Sequence, residues 1–193
     1  MDIIKLLDPL PIDQIDFRIQ SINKGGYATI LAYKDARVDV NRLNAVCGQL
    51  GWSRSHSRDN HNCTVSVYDK TNGHWVSKED TGTESNTEKQ KGLASDSFKR
   101  ACFNWGIGLE LYDYPLIKIQ LNGSGGNQKD EWWLNPNKKD RYGNPSPQSG
   151  WGLKLKEWLW YSEFKDNKIT FLAARDVDKV RFQWGQRKQE SKK

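Results

Sequence analysis

Long apolar runs are missing from this sequence. Nowhere do the roughly 18 to 20 consecutive apolar residues occur that a bilayer-spanning helix needs, and the opening MDIIKLLDPLP has neither the basic stretch nor the long apolar stretch of a secretory signal. A cytoplasmic protein without a membrane partner is the expectation. Cysteine is scarce as well: Cys47, Cys63 and Cys102 are odd in number and too far apart for a disulfide framework or a CxxC metal knuckle, so they read as core or inert thiols. The three histidines, His56, His61 and His74, stand at intervals that match no zinc pattern. The nearest approach to a phosphate loop, GSGGNQK at 123–129, lacks the GK[ST] ending that would put a lysine on phosphate and a hydroxyl on Mg²⁺. Glu163-Phe164-Lys165 is half of a metal-dependent nuclease motif, with no accompanying aspartate at a recognisable spacing. No catalytic group, metal site or cofactor is expected.

What remains is a polar, basic, aromatic-rich chain. Its 193 residues are 36% hydrophobic, with nine Trp and seven Tyr, enough for one domain with its own core and an appendage. The net charge of +6 is unevenly placed. Residues 1–115 carry 14 Lys/Arg against 15 Asp/Glu, whereas 116–193 carry 16 against 9, and the final QRKQESKK reads as a solvated tail. Such a surplus attracts a polyanion at long range, most often nucleic acid, although basic tails also serve solubility alone.

Hydrophobic periodicity divides the chain. Ile12, Ile15, Ile19 and Ile22 recur at helical spacing behind Pro11, which predicts a short helix over 11–22. YATILAY at 27–33 reads as a strand. In the following helix Val40, Leu43, Val46, Cys47 and Leu50 share a face, and Gly48 or Gly51 can end it. Between Trp52 and Gly82 the pattern alternates, broken at Asp59-Asn60 and at Thr71-Asn72-Gly73, which predicts a three-stranded antiparallel meander. Helical spacing returns over about 87–105. There Leu93, Ala94, Phe98, Ala101, Cys102 and Trp105 form one face, and Lys89, Asp96, Lys99 and Arg100 lie opposite. Residues 122–150 have loop composition, and LKEWLWYSEF and KITFLAARDVDKVRFQW read as strands around Asp166-Asn167. The fold class is therefore α+β. On periodicity alone, Lys99 and Arg100 are ion-pair partners of Asp96 on a solvated helix face.

Certain strings point further. YKDARVDVNRLN (33–44) followed by Gly51-Trp52, the hairpin DKTNG (69–73), Glu79-Asp80-x-Gly82 and above all ASDSFKRACFNWG (94–106) resemble the annealing domain of the Rad fifty-two family, in the family's order and at closely similar spacing from about residue 11 to 115. The resemblance implies a β-β-β-α annealing core over residues 1–115, a loop or linker over 116–150, and a strand-rich C-terminal segment with a basic tail over 151–193. It also implies assembly side by side into a closed ring, a homo-oligomer that holds single-stranded DNA in a positively charged outer groove and anneals complementary strands without ATP in recombination and repair. Matched motif to motif, Arg37 takes the place of the family's groove arginine and Lys99 that of its groove lysine, with Arg100 beside it. Lys89 and Lys91 lie on the same helix, and Arg54 and Arg58 of the meander are carried for a second, outer site. The long C-terminal half of eukaryotic members is absent, so the chain looks more like the small phage or bacterial relatives, whose partners would be an exonuclease or a single-strand-binding protein.

The chemistry of annealing agrees with a basic grip. An annealer holds phosphates and leaves base edges free for a second strand. A module that only protects single strands stacks their bases on aromatic side chains instead, and the many Trp keep that alternative open. A metal-dependent nuclease is the third reading. If the basic C-terminal segment supplies sequence-independent attraction, deleting Arg187 to Lys193 lowers single-strand affinity at every sequence and flattens the slope of log K against log salt in a titration series, while annealing at low salt persists. An unchanged slope assigns the tail to solubility.

Overall fold

A computed structural model describes residues 2–83, 89–177 and 179–187, with the backbone alone for 89–91. The chain runs through β1 (Ile15–Ile22), β2 (Tyr27–Lys34), α1 (Ala36–Cys47), β3 (Trp52–His56), β4 (Asn62–Asp69), β5 (His74–Thr81) and α2 (Lys89–Phe103). It continues through β6 (Ile117–Gln120), β7 (Trp132–Lys139), β8 (Pro145–Ser149), β9 (Leu159–Lys165), β10 (Lys168–Asp176) and β11 (Lys179–Gly185). The class is α+β, as the patterning implies. The strands form sheets ordered β1-β2-β6, β3-β4-β5 and β11-β10-β9, with β7 and β8 paired as a hairpin. Two compact units result, one of residues 1–14 and 34–112, the other of 15–33 and 113–193.

In the first unit the meander forms as the alternation dictates. Cys63, Val65 and Val67 of β4 are buried on one face, and the Asp69 carboxylate accepts from the backbone N–H groups of Thr71 and Asn72 to set the turn before β5. Onto that face α2 lays Leu93, Phe98, Ala101 and Cys102, while the Trp105 indole donates to the Val65 carbonyl at 3.1 Å. Burying a side chain the size of Phe98 contributes about 1.5–3 kcal/mol. Asp35 caps α1 by accepting from the Arg37 N–H at 2.8 Å, and Gly48 with φ +78° ends it. Leu50, expected on the core face of this helix, is 95% exposed because the helix stops at Cys47. Cys47, Cys63 and Cys102 are free and buried, and burial raises all three thiols, Cys63 to about 11.

The buried stripe of α1 is Asp39, Leu43 and Cys47, so an aspartate occupies a core position. Its partner is Lys34, the last residue of β2, whose ammonium donates to the Asp39 carboxylate and to the Ile107 carbonyl. Glu110 accepts from the Leu10 N–H at 2.6 Å and so ties the segment after α2 to the N-terminal residues. Gly108, at φ +74°, lies where a Cβ would meet the Lys34 side chain at 2.9 Å, so only glycine lets that segment close over the lysine.

The second unit corrects two expectations. Residues 15–22 form β1 rather than helix. Ile15, Phe17 and Ile19 also recur at period two, and pairing with β2 and stacking of Phe17 on Trp160 at 3.5 Å outweigh the local helical spacing. The stretch 122–150, read as loop, contains the β7–β8 hairpin, in which Trp132 pairs with Ser149. Trp132 is buried against Gly26 and Gly125, and its indole donates to the Gly123 carbonyl. The strands expected around Asp166-Asn167 are β9 and β10, with β11 beyond them. Arg181, 3% exposed, bridges Glu131 at 2.7 Å and Asp176 at 2.9 Å over the Trp158 ring.

Burial pushes Asp39 up to about 6 against the pull of Lys34, and pushes Lys34 down. Because the folded state binds the Asp39 proton more tightly than the unfolded chain, this group favours folding most below pH ~4, and that contribution is lost as pH rises through ~6. Urea titrations should show Asp39→Asn removing this dependence and costing about 3–5 kcal/mol at neutral pH through the stranded Lys34 charge. The double variant Lys34→Met/Asp39→Leu should cost less than Asp39→Asn.

Candidate nucleic-acid interface

Successive residues of a helix diverge by about 100° around its axis, which decides the fate of the two cations in the SFKRA string of α2. Arg100 turns toward β5, where its Nε donates to Asp80 at 3.3 Å. Lys99 turns toward α1, where its charge acts on the carboxylates of both Asp35 and Asp39. The two helices pack on each other, and at the capped N-terminus of α1 Arg37 projects with its side chain 88% exposed. Arg37 donates through Nε to Asp35 at 2.8 Å, and this bond, more than any other influence, holds the Asp35 carboxyl below its ordinary range.

The helix-face network expected from spacing does not form. Asp96 accepts from the backbone N–H and the hydroxyl of Thr83, at 2.9 and 3.1 Å. Lys99 makes no hydrogen bond or ion pair among the described residues. The acid three residues before it is occupied elsewhere, so the positive charge of Lys99 remains available to a ligand.

The other candidate residues are spread out. Arg54 of β3 lies on the same sheet face as Val65, with its guanidinium 4.5 Å from the centre of the Phe98 ring at the edge of α2. Beside it, His56 faces Ser97 of α2, and burial with the Arg54 charge lowers its affinity for a proton. Arg58 is exposed in the turn between β3 and β4. The side chains of Lys89 and Lys91 lie outside the described residues. Thus Arg37 holds Asp35, the Lys99 charge reaches the same carboxylate, Arg100 is tied to Asp80, and Arg54 flanks α2 from the meander edge. The partners Asp80, for Arg100, and Thr83, for Asp96, escaped the sequence reading because both join α2 back to the end of β5 and the residues just after it, a pairing that helix spacing does not report. Lys34 and Asp39 were missed as well, because the apolar stripe expected for α1 ran through Val40 and Val46 rather than through the aspartate that is buried.

Residues 4–129, more than half of the chain, match the Rad52/22 family of double-strand break repair proteins. The chain belongs to this family. Among the relatives of this Rad52/22 member is the "Single-stranded DNA-binding protein DdrA" of Deinococcus radiodurans, 32% identical over 114 residues that cover 58% of this chain and 54% of that protein. The protein of the same name from Deinococcus deserti is 33% identical over 121 residues, covering 61% of this chain and 60% of its own length. The matches thus span little more than half of each relative. In this Rad52/22 chain, Arg100→Ala should cost about 1 kcal/mol in urea unfolding by releasing Asp80, whereas Lys99→Ala should stay within a few tenths. Equal costs would mean that Lys99 is a structural ion-pair residue.

Proposed function

We propose that the chain binds single-stranded DNA and anneals complementary strands without ATP, as a homo-oligomer, in recombination and repair. The observation that carries this reading is that the Lys99 charge reaches the Asp35 carboxylate that Arg37 holds, while the nearest acid in sequence to Lys99, Asp96, is turned to Thr83. Two cations on rigid helices hold phosphates and leave bases unstacked, the arrangement annealing requires. Family membership and relatives named as single-stranded DNA-binding proteins support the same substrate. Arg37 exchanges the Asp35 carboxylate for a phosphate, and Lys99 supplies the second charge. Arg100, Lys89, Lys91, Arg54 and Arg58 extend the basic surface. A ring of subunits covers the outer strands of open sheets by repeated head-to-tail contacts.

A second reading, a module that protects strands without annealing them, is favoured by the exposed aromatic side chains of Trp75, Trp151 and Trp184. Annealing of complementary oligonucleotides without nucleotide cofactor separates the two. Under the annealing reading, Arg37→Ala and Lys99→Ala each lower single-strand affinity, reduce the slope of log K against log salt by roughly one, and slow annealing while the melting temperature holds. Light scattering then gives a particle far heavier than the 22.3 kDa chain. Unaltered annealing in both variants removes these residues from the site, and a monomer with and without DNA removes the ring.

A further inference from the structure

The outer face of the β11-β10-β9 sheet lies outside the residues that carry the family match. On it the pairing aligns Leu159 with Arg175 and Val180, and Tyr161 with Ala173 and Gln183. The small Ala173 lies between larger neighbours in an open trough of about 460 Å³. Its walls are apolar yet wet: Leu159 is 68% exposed, Val180 53% and Tyr161 43%.

The Tyr161 ring is held before any ligand arrives. Its hydroxyl donates to Glu163 at 2.9 Å, Phe171 meets it edge-on at 5.9 Å, and the Arg187 guanidinium lies over one face of the ring, 5.1 Å from its centre. Arg187 also faces Glu163 at 3.7 Å, so the acid on this face is neutralised within the face. Arg175 and Arg187 line the trough, and Lys165 and Lys168 are exposed farther along β9 and β10, where the one strand turns into the other. An oriented aromatic ring in an apolar trough lined by two arginines fits a chain of flat bases joined by phosphates, and the cations disfavour an apolar protein partner.

We propose that this face is a base-stacking platform for single-stranded DNA, in which a base takes the place of the exposed Arg187 guanidinium over Tyr161, and Arg175 and the displaced Arg187 hold the flanking phosphates. It adds to the α1–α2 grip a contact of opposite character and rests on the reading of the chain as a single-strand binder.

The test compares binding of an oligothymidylate with that of an abasic deoxyribose-phosphate chain of equal length, by anisotropy on the full chain. Stacking of one base gives the wild type a preference of about tenfold for the thymidylate. Tyr161→Ala abolishes the preference, Tyr161→Phe keeps it, and Arg175→Ala weakens both ligands alike. Preference retained in Tyr161→Ala, or lost in Tyr161→Phe as well, overturns the platform. Photo-crosslinking of the wild type to an iodouracil-bearing strand, free of any folding defect, places the adduct at Tyr161; adducts confined to residues 34–112 overturn it. If Arg37→Ala and Lys99→Ala leave annealing unaltered while Tyr161→Ala loses the base preference, the platform stands and the α1–α2 site falls. If the wild type binds neither ligand, both fall.

Discussion

Lys34 and Asp39 are withdrawn from water together, and the first unit is arranged around them. The lysine ends β2, the aspartate stands in the first turns of α1, and the Ile107 carbonyl that shares the ammonium belongs to the segment leaving α2. Three stretches of chain therefore meet at one charge. Such a pair adds little net stability, since desolvation consumes most of the attraction, but it punishes displacement of any member severely. It fixes how α1 enters against α2, and with that the place of Asp35, Arg37 and Lys99 on the surface above.

The visible chemistry of the molecule then depends on which cations are already engaged. Arg181 is enclosed by two carboxylates and a tryptophan ring and serves the second unit as a polar core. Arg100 binds Asp80 and fastens α2 to the meander. Lys99, one residue away, does neither, and Arg37 holds a partner exposed enough to yield to a phosphate. Adjacent residues of one string thus divide, by helix rotation, between one that fastens the fold through Asp80 and one that makes no ion pair among the described residues. On the second unit, Tyr161 and Arg187 pair an aromatic face with a cation, a chemistry suited to bases rather than to backbone.

Much of this was legible in the residues. Alternation located β3, β4 and β5, and the apolar face of α2 was read correctly from Leu93 to Trp105, because both elements bury a single face and periodicity reports that directly. Arg37 and Lys99 came from the ARV and SFKRA strings, which position and charge alone would have assigned to surface ion pairs. The segment 15–22 misled because isoleucines at spacings of three and four coexist with a period-two set, and only pairing with β2 and contact with Trp160 decide between them. The β7–β8 hairpin was hidden by its prolines and asparagines, its burial resting chiefly on Trp132. The Tyr161 face could not be foreseen, since it depends on the register that sets Ala173 between Tyr161 and Gln183.

The order of strands in the first sheet bears on how the chain is made. β2 lies between β1 and β6, and the Gln120 amide reaches back to the Gly25 carbonyl across 95 residues. A ribosome thus releases the β1–β2 hairpin long before the strand that completes its sheet, and a lone two-stranded hairpin is marginal in water. Residues 34–112 meanwhile need only shorter loops to close, since their unit is nearly continuous in sequence. Until β6 emerges, β2 presents an open edge to other nascent chains, so crowded polysomes are where this protein is most exposed to misassembly.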